Sequence, residues 1–363
     1  MMGGGFRLFP PAGKSGDFRY PPYMRLLFNQ GHHRRFARIH IADIFRQHAG
    51  KLYPLPHPLW KVAESGGDFA GRFINPIRNK GFEHIIAVHP GAGAEIRRWG
   101  DEKYIDLITI LSRKISPAFI LIGTDRTENT AIIKSLPKNI EILDLSGQTT
   151  IAELAGVLAS SDLFIGADSG PLQLAAAAGT RTLGLFFASA QVHETGPLGD
   201  GHIVIQAYPY CAPCREDEPA CGNEITCRNM IPPGFAAETA LSILEDDVDR
   251  ISEIEIPKDV LLCKSRYDES GQTYDVLNEG WYDSAGFYRG LWTELLSGNG
   301  KTGYKPSSRM NSVKFERLIS ELAKDPLTLP LANHYLMVKA DEGEAEAERQ
   351  ITTAVEYIKN IPV

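Results

Sequence analysis

The sequence lacks any apolar run that approaches the ~18 to 20 residues of a membrane-spanning helix. Its opening stretch, MMGGGFRLFPPAGKSGDFRYPP, also lacks the apolar core of a secretory signal peptide. We therefore expect a cytoplasmic protein. An excess of positive charge is missing too, because the formal net charge is -7. Since duplex binding depends on clustered Lys and Arg, nucleic acid is not an expected partner.

Basic side chains are nevertheless concentrated near the N-terminus, at His32, His33, Arg34, Arg35, Arg38 and His40. Such a cluster is typical of a solvated helix face. It also suits contact with an anionic membrane surface, which would place the protein peripherally at the inner membrane. Both interpretations stay open, although the solvated face is the commoner case.

The apolar pattern divides the 363 residues into three parts. Residues 1–80 form a lead-in and linker with one helix predicted over 34–48, in which Asp43 has a surface or capping role. Residues 81–250 alternate strands and helices, which predicts an α/β domain with a doubly wound, Rossmann-like parallel sheet. Residues 251–363 form a small α+β addition. It contains a hairpin over 260–267 and 273–277 and helices near 313–324 and 344–359.

Six strands are expected in the middle part, at 85–88, 119–122, 140–145, 163–165, 181–187 and 203–205. Tyr104 to Leu111 carry a helical apolar stripe, and a further helix is expected from Phe235 to about Leu244. Another helix begins at Thr150, where Thr150 and Glu153 have the spacing of a capping box.

The run Asp162 to Gly179, DLFIGADSGPLQLAAAAG, is the stretch around which we expect the site to form. A buried strand ends at a tight turn, and Pro171 then suits the first turn of a helix that Gly179 closes. Such a turn directs backbone N–H groups and a positive dipole end at a ligand above the sheet. A diphosphate is the expected ligand.

A second glycine-containing turn follows the first strand, at residues 89–93 (HPGAG), and leads to the basic pair Arg97 and Arg98. Small residues let backbone amides approach phosphate oxygens, and a nearby cation neutralises them. Together with the runs at 146–150, 168–171, 185–186 and 195–199, this turn resembles glycosyltransferase family nine, the lipopolysaccharide heptosyltransferases. The resemblance covers residues 85–235 in consistent order.

The resemblance implies a GT-B fold whose C-terminal domain holds a nucleotide-sugar donor such as ADP-heptose. It further implies transfer to a lipopolysaccharide core or another glycan. Arg97 matches a family Lys that neutralises the diphosphate leaving group, and the remaining donor-binding positions would be Gly93, Glu128, Asp168, Ser169, Gly170 and Gln173. Each position has a purely structural alternative: Glu128 can complete a capping box with Asp125, and Arg97 can be a surface cation. No metal or other cofactor is required for this transfer.

Two positions depart from the family pattern. Gln173 stands where the family usually has His, and Phe187 stands where Gly is common. An amide can still donate a hydrogen bond but cannot supply a cation. These departures indicate a different sugar or a weakened site.

Four of the five cysteines, Cys211, Cys214, Cys221 and Cys227, lie close together in the sequence. In a reducing cytosol this spacing predicts either a structural zinc site or free thiols packed in a loop. The second pair lacks the CxxC spacing, which favours thiols. Cys263 is predicted to be a buried strand residue.

Three functions remain as hypotheses. The first is sugar transfer from a nucleoside diphosphate, and the second is sugar-nucleotide binding without catalysis. The third, a dinucleotide oxidoreductase, ranks last because no GxGxxG follows a predicted strand. The resemblance also implies an N-terminal acceptor domain, and residues 1–80 would be only a remnant of it and a linker, because they lack βαβ alternation. With most of the acceptor domain missing, the chain alone is expected to transfer sugar poorly or not at all, and its general base is not identified.

Overall fold

The computed structural model describes residues 40–48, 58–124, 126–209, 211–214, 221, 225–246, 250, 254–268 and 271–278. Of these, residues 40–43 and 58–278 belong to one compact unit. The basic cluster over 32–39, the start of the predicted helix over 34–48 and both helices predicted after residue 300 lie outside the described residues.

The strands are β1 Ile85–His89, β2 Ala118–Leu121, β3 Ile142–Asp144, β4 Leu163–Ala167, β5 Thr182–Phe186, β6 Ile203–Ala207, β7 Val260–Asp268 and β8 Gly271–Val276. The α-helices are α1 Ile41–His48, α2 Glu64–Asn79, α3 Asp101–Ile115, α4 Arg126–Ser135, α5 Ile151–Ala159, α6 Gly170–Ala177, α7 Val192–Thr195 and α8 Pro233–Leu244. Short 3₁₀ helices occupy Glu95–Arg97 and Thr226–Met230.

The strands form one sheet in the order β3-β2-β1-β4-β5-β6-β7-β8. The pairs among β1 to β6 are all parallel, whereas β7 is antiparallel to both β6 and β8. The predicted α/β class and doubly wound parallel sheet are confirmed, with an antiparallel hairpin added at one side.

Each central strand is buried on both faces, so successive side chains enter two different cores. In β1, Ile86 and Val88 join a cluster that includes residues of α3 and α8, whereas Ile85 and Ala87 join one that includes residues of α2 and α5. Helices on both faces explain why the strands read as continuous apolar runs rather than alternating ones.

The predicted strands are confirmed with small shifts at their ends; the largest is in β3, which is shorter than predicted. The capping box at the start of α5 is present, since Thr150 and Glu153 bond each other's backbone N–H groups. The sequence pattern does not predict α2, because two glycines near its start and Pro76 weaken the helical signal. Tertiary packing compensates: Gly66 of α2 lies so close to Gly156 of α5 that a Cβ on either would collide with the other helix.

The predicted hairpin is confirmed, but it does not stand apart from the sheet. β7 pairs with β6 over residues 203–207 and 260–264, and β8 pairs with β7. The predicted boundary at residue 250 therefore falls inside the compact unit. Cys263 is fully buried in β7, as predicted. Within the described residues, a helix with the length and hydropathy needed to span a bilayer is absent.

Candidate functional site

The candidate site lies where the strand order changes direction. The chain runs outward from β1 to β2 and β3 on one side, and from β4 to β5 and β6 on the other. β1 and β4 are adjacent, with His89 opposite Gly166 at their carboxyl ends. Loops that leave two adjacent strands in opposite directions open a crevice between them, which is the usual ligand position in doubly wound sheets.

Residues 90–97, which we call the glycine loop, leave β1 and end in the 3₁₀ helix Glu95–Arg97. Arg97 donates from Nη1 to Oδ2 of Asp168 at 2.9 Å. The two side chains are 21% and 10% exposed, so the pair is only partly open to solvent. The structure thus brings the predicted cation and the predicted carboxylate together from different loops. A Cβ on Gly93 would lie 3.0 Å from Nη2 of Arg97, so this glycine gives the guanidinium its space.

The turn after β4 contains Asp168, Ser169 and Gly170, and it leads directly into α6. Ser169 is the N-cap residue, with an extended backbone and no side-chain capping bond. Its hydroxyl instead lies 3.2 Å from Nδ1 of His89. Gly179 adopts a φ of +88° just after the end of α6, as its predicted role requires. The start of α6 therefore directs its N–H groups at the crevice without a side-chain cap.

The side chain of Gln173, near the start of α6, is hydrogen-bonded to backbone carbonyls of the protein. Its amide nitrogen donates to the carbonyl of Thr195 at 2.7 Å and to that of Gly196 at 3.3 Å. Thr195 in turn donates from its hydroxyl to Oδ2 of Asp168 at 3.1 Å. Gln173 thus positions a residue that holds the central carboxylate.

Residues 195–199, which we call the braced loop, are held by side chains from distant parts of the chain. The hydroxyl of Tyr274 in β8 donates to the carbonyl of Pro197 at 3.1 Å. Nε2 of His40 lies 3.1 Å from the carbonyl of Gly196. Because Nδ1 of His40 accepts from the N–H of Ala42, the ring proton sits on Nε2 and is donated to that carbonyl.

Gln272 in β8 makes two bonds to the end of the braced loop. Its side chain accepts from the N–H of Gly199 at 2.8 Å and donates to the carbonyl of Gly199 at 3.1 Å. Its own backbone N–H donates to Oδ2 of Asp43 at 2.7 Å. Asp43 is only 2% exposed, so the expected surface role is wrong, although the residue does lie in the first turn of α1.

His89 occupies the end of β1, inside the candidate site. Burial, aided by the positive charge of Arg98, lowers its pKa from 6.5 to about 4. The imidazole is therefore neutral at physiological pH. The sequence pattern marked its loop but gave no role to His89 itself.

Two further positions from the sequence analysis are Glu128 and Phe187. Glu128 lies in α4, but its side chain and Asp125 fall outside the described residues. The choice between nucleoside contact and a capping box therefore stays open. Phe187 is 1% exposed in the same core cluster as Leu185, so the family glycine is replaced here by a core side chain.

A separate cavity of about 510 Å³ lies beyond Arg98. Acidic and basic side chains both line it, and Arg98 is within 3.3 Å of Asp101 there. The pKa of Lys103 is lowered to about 8 by burial and by Arg228. Lys103 also donates to the side chain of Asn229 at 2.7 Å, and this bond attaches the 3₁₀ helix Thr226–Met230 to α3.

The four clustered cysteines form no disulfide, and Cys214 and Cys227 are buried. Burial raises the pKa of the Cys227 thiol. A hydrogen bond from the Ala188 backbone lowers this pKa, and the nearby Cys214, Cys221 and Cys211 raise it. Among the described residues, no group of three or more His, Cys, Asp or Glu side chains is arranged to hold a metal ion. Zinc stays a prediction for this segment.

Comparison with known proteins gives a consistent result. The model of glycosyltransferase family 9 (heptosyltransferase) matches residues 12–223. The lipooligosaccharide heptosyltransferase 2 of Campylobacter jejuni is 26% identical over 186 residues, which are 49% of this chain and 56% of that protein. The lipopolysaccharide heptosyltransferase 3 of Escherichia coli is 27% identical over 113 residues, 30% of this chain and 33% of that protein.

Solved structures give matches of lower sequence identity. A family 9 glycosyl transferase from Veillonella parvula covers 58% of this chain and 61% of its own, with 14% identity and a TM-score of 0.49. The ADP-heptose lipopolysaccharide heptosyltransferase II of Escherichia coli covers 53% and 56%, with 19% identity and a TM-score of 0.42. The chain spans about half the length of the curated relatives it matches.

Proposed function

Because this chain belongs to glycosyltransferase family 9, we propose that it binds a nucleotide-sugar donor in the crevice between β1 and β4. The donated sugar would be a heptose, carried by a nucleoside diphosphate such as ADP, and the acceptor a lipopolysaccharide-type glycan. The observation that carries the proposal is the Arg97–Asp168 pair between the glycine loop and the start of α6. A lipid-linked acceptor would bring the protein to the inner membrane surface from the cytoplasm.

The chemistry follows from the charge that develops on the diphosphate when the sugar is transferred to the acceptor hydroxyl. The bond between the anomeric carbon and the β-phosphate oxygen breaks, and negative charge accumulates on the diphosphate. Arg97 and the positive end of the α6 dipole stabilise that charge, so the proposal includes no metal ion. A guanidinium has five N–H donors, which lets Arg97 bind Asp168 and a phosphate oxygen together. Thr195 fixes the carboxylate from the other side.

Titration calorimetry with ADP tests the site directly. Arg97→Ala should weaken ADP binding by about 1.5 to 3 kcal/mol, the range for a charge-assisted hydrogen bond, or roughly 10- to 150-fold. Arg98→Ala is the matched control, because Arg98 pairs with Glu95 and Asp101 instead. Its ADP affinity should fall much less than that of Arg97→Ala, since the Arg98 side chain is bonded to Glu95 and Asp101 and acts on the site only through its charge. Equal ADP affinity for Arg97→Ala and wild type would remove Arg97 from the diphosphate site.

The alternative is a sugar-nucleotide-binding protein without catalysis. It is favoured by the environment of Asp43, a carboxylate of the N-terminal part that we tested as a candidate general base. Asp43 is buried and accepts a hydrogen bond from the backbone of Gln272. Incubation with ADP-heptose and heptose-deficient lipopolysaccharide core separates the two functions. We expect slow transfer, and turnover at roughly 1 per second or faster would contradict that expectation.

The four clustered cysteines, Cys211, Cys214, Cys221 and Cys227, have no role in the proposed chemistry. If it holds zinc, protein purified without chelator should contain about one equivalent, with sulfur atoms about 2.3 Å from the ion. Metal analysis of the wild type and of Cys214→Ser decides between zinc and packed thiols. A content well below one equivalent in the wild type would leave packed thiols.

A further inference from the structure

His89 is a buried polar residue in the crevice to which the family resemblance assigned no role. It ends β1, is 8% exposed, and lies beside the turn that starts α6. Nδ1 is 3.2 Å from the hydroxyl of Ser169. Within the part of the chain that the structure describes, the hydrogen bond of His89 is made by Nδ1, and Nε2 is not one of the fully buried polar atoms that lack a partner. Nε2 is therefore open to water or to a ligand, although most of the ring is buried.

The surroundings of Nε2 are glycine backbone on two sides. A Cβ on Gly91 would lie 3.1 Å from Nε2, and one on Gly123 would lie 3.4 Å from it. Gly123 also has a φ of +139°, which disfavours any other residue. Neither glycine has a side chain that could cover this edge of the ring, which lies at the end of the sheet where the ligand is expected.

The protonation state of His89 limits what Nε2 can do. A pKa of about 4 means that the neutral ring carries one proton at pH 7. The hydroxyl of Ser169 can donate or accept, so it is compatible with either tautomer. Phosphate oxygens only accept hydrogen bonds. A diphosphate at Nε2 therefore selects the tautomer with Nε2–H, while Ser169 donates to Nδ1.

We infer that His89 contacts the donor, giving its Nε2–H to a phosphate oxygen of the nucleoside diphosphate, with Ser169 orienting the ring. This inference rests on the proposed function and deepens it. It also accounts for the replacement of the family histidine by Gln173. The amide of Gln173 is bonded to the braced loop, and the imidazole of His89 offers a different donor to the ligand from the neighbouring strand.

Two substitutions of His89 distinguish the role of Nε2 from that of Nδ1. The amide of Gln in His89→Gln can replace Nε2, whereas the shorter amide of Asn in His89→Asn can replace only Nδ1. By titration calorimetry, His89→Gln should bind ADP within about threefold of wild type, and His89→Asn should bind about tenfold more weakly or worse. If His89 only supported Ser169, the order would reverse. The reversed order, or equal losses in both variants, would overturn the inference.

The wild type provides a measurement that does not depend on how the variants fold. In ¹⁵N-labelled protein, the His89 resonances should report an Nε2–H tautomer in the ADP complex, and the Nε2 signal should shift on binding. An unchanged His89 signal at saturating ADP would contradict the contact while leaving ADP binding itself established. If the wild type binds no ADP, the proposed function and the role of His89 fall together.

Discussion

The glycine loop and the braced loop both border the crevice, yet they are held in opposite ways. In the glycine loop, Gly93 is exposed, and the side chains nearest to Gly91 and Gly93 are those of His89 and Arg97, two groups of the site itself. In the braced loop, Gly196, Pro197 and Gly199 are buried and bonded to side chains from residues 40, 173, 272 and 274.

The difference separates two tasks. Backbone N–H groups that are to meet a ligand must be left uncovered, whereas the residue that aligns a charged group must be fixed before the ligand arrives. Thr195 is that residue, since it holds Asp168, which holds Arg97. The hairpin β7–β8, which reads as an accessory element from sequence, supplies two of the braces.

The sharpest test compares one glycine from each loop. In Gly196→Ala the new Cβ would lie 2.5 Å from the ring of Tyr274, a side chain that is 4% exposed and bonded through its hydroxyl. We expect a loss of about 3 kcal/mol or more in the free energy of unfolding. Gly93→Ala meets only the tip of Arg97 and should cost about 1 kcal/mol or less. Urea denaturation measures both, and equal losses would erase the contrast between the loops.

The pH dependence of stability tests the burial of His89. Its pKa falls from 6.5 in the unfolded chain to about 4 in the folded protein, so the unfolded state binds more protons between these values. Stability from this group is fully present above pH 6.5 and is lost as the pH falls toward 4. At ~1.4 kcal/mol per pKa unit, the total loss is about 3 kcal/mol.

The matched variant for this measurement is His89→Gln, which cannot titrate in that range. Denaturation at a series of pH values should show the wild type losing stability relative to His89→Gln as the pH falls. Parallel curves for the two proteins would mean that His89 is solvated in the folded state.

Removing a brace should have a smaller effect. Gln272→Ala leaves the buried N–H and carbonyl of Gly199 without their side-chain partner, and we expect a loss of about 2 kcal/mol. Thr273→Ala is the control on the same strand, because the Thr273 hydroxyl bonds an exposed carbonyl, and it should cost less than about 1 kcal/mol. Similar losses of stability in both variants would show that the bonds from Gln272 to the braced loop do not contribute more than other side-chain bonds of strand β8.

The smallest expected effect comes from one hydroxyl. Tyr274→Phe removes the hydroxyl that donates to the carbonyl of Pro197 and should cost about 1 kcal/mol in thermal or urea unfolding. Because the ring stays against Gly196, the position of the loop should be kept. ADP affinity should then fall by no more than about threefold. A larger fall would show that the Tyr274 hydroxyl is needed to hold Thr195 in position.

Local patterns predicted the strands, the capping box at Thr150 and the turn before α6, because those features depend on residues close in sequence. A common site for the loops of Arg97 and Asp168 could be expected, since parallel strands place their end loops at one edge, but the bond between these two side chains could not be predicted. The role of Asp43 could not be predicted in this way. Its partner, Gln272, lies 229 positions away, and no spacing rule reaches that far. The sequence placed His40 in a basic cluster and Thr195 in the run 195–199, but it did not predict their bonds to Gly196 and Asp168, which lie 156 and 27 positions away.

The way β7 lies against β6 also matters for solubility. β6 is the segment IVIQA, buried along its whole length, with little charge and no proline. Its outer row of N–H and carbonyl groups is paired by β7 over residues 260–264. A chain shortened before Val260 would present that row as an open template for a second molecule, the arrangement from which strand-to-strand aggregates grow. The hairpin therefore protects the molecule from self-association while it braces the loop.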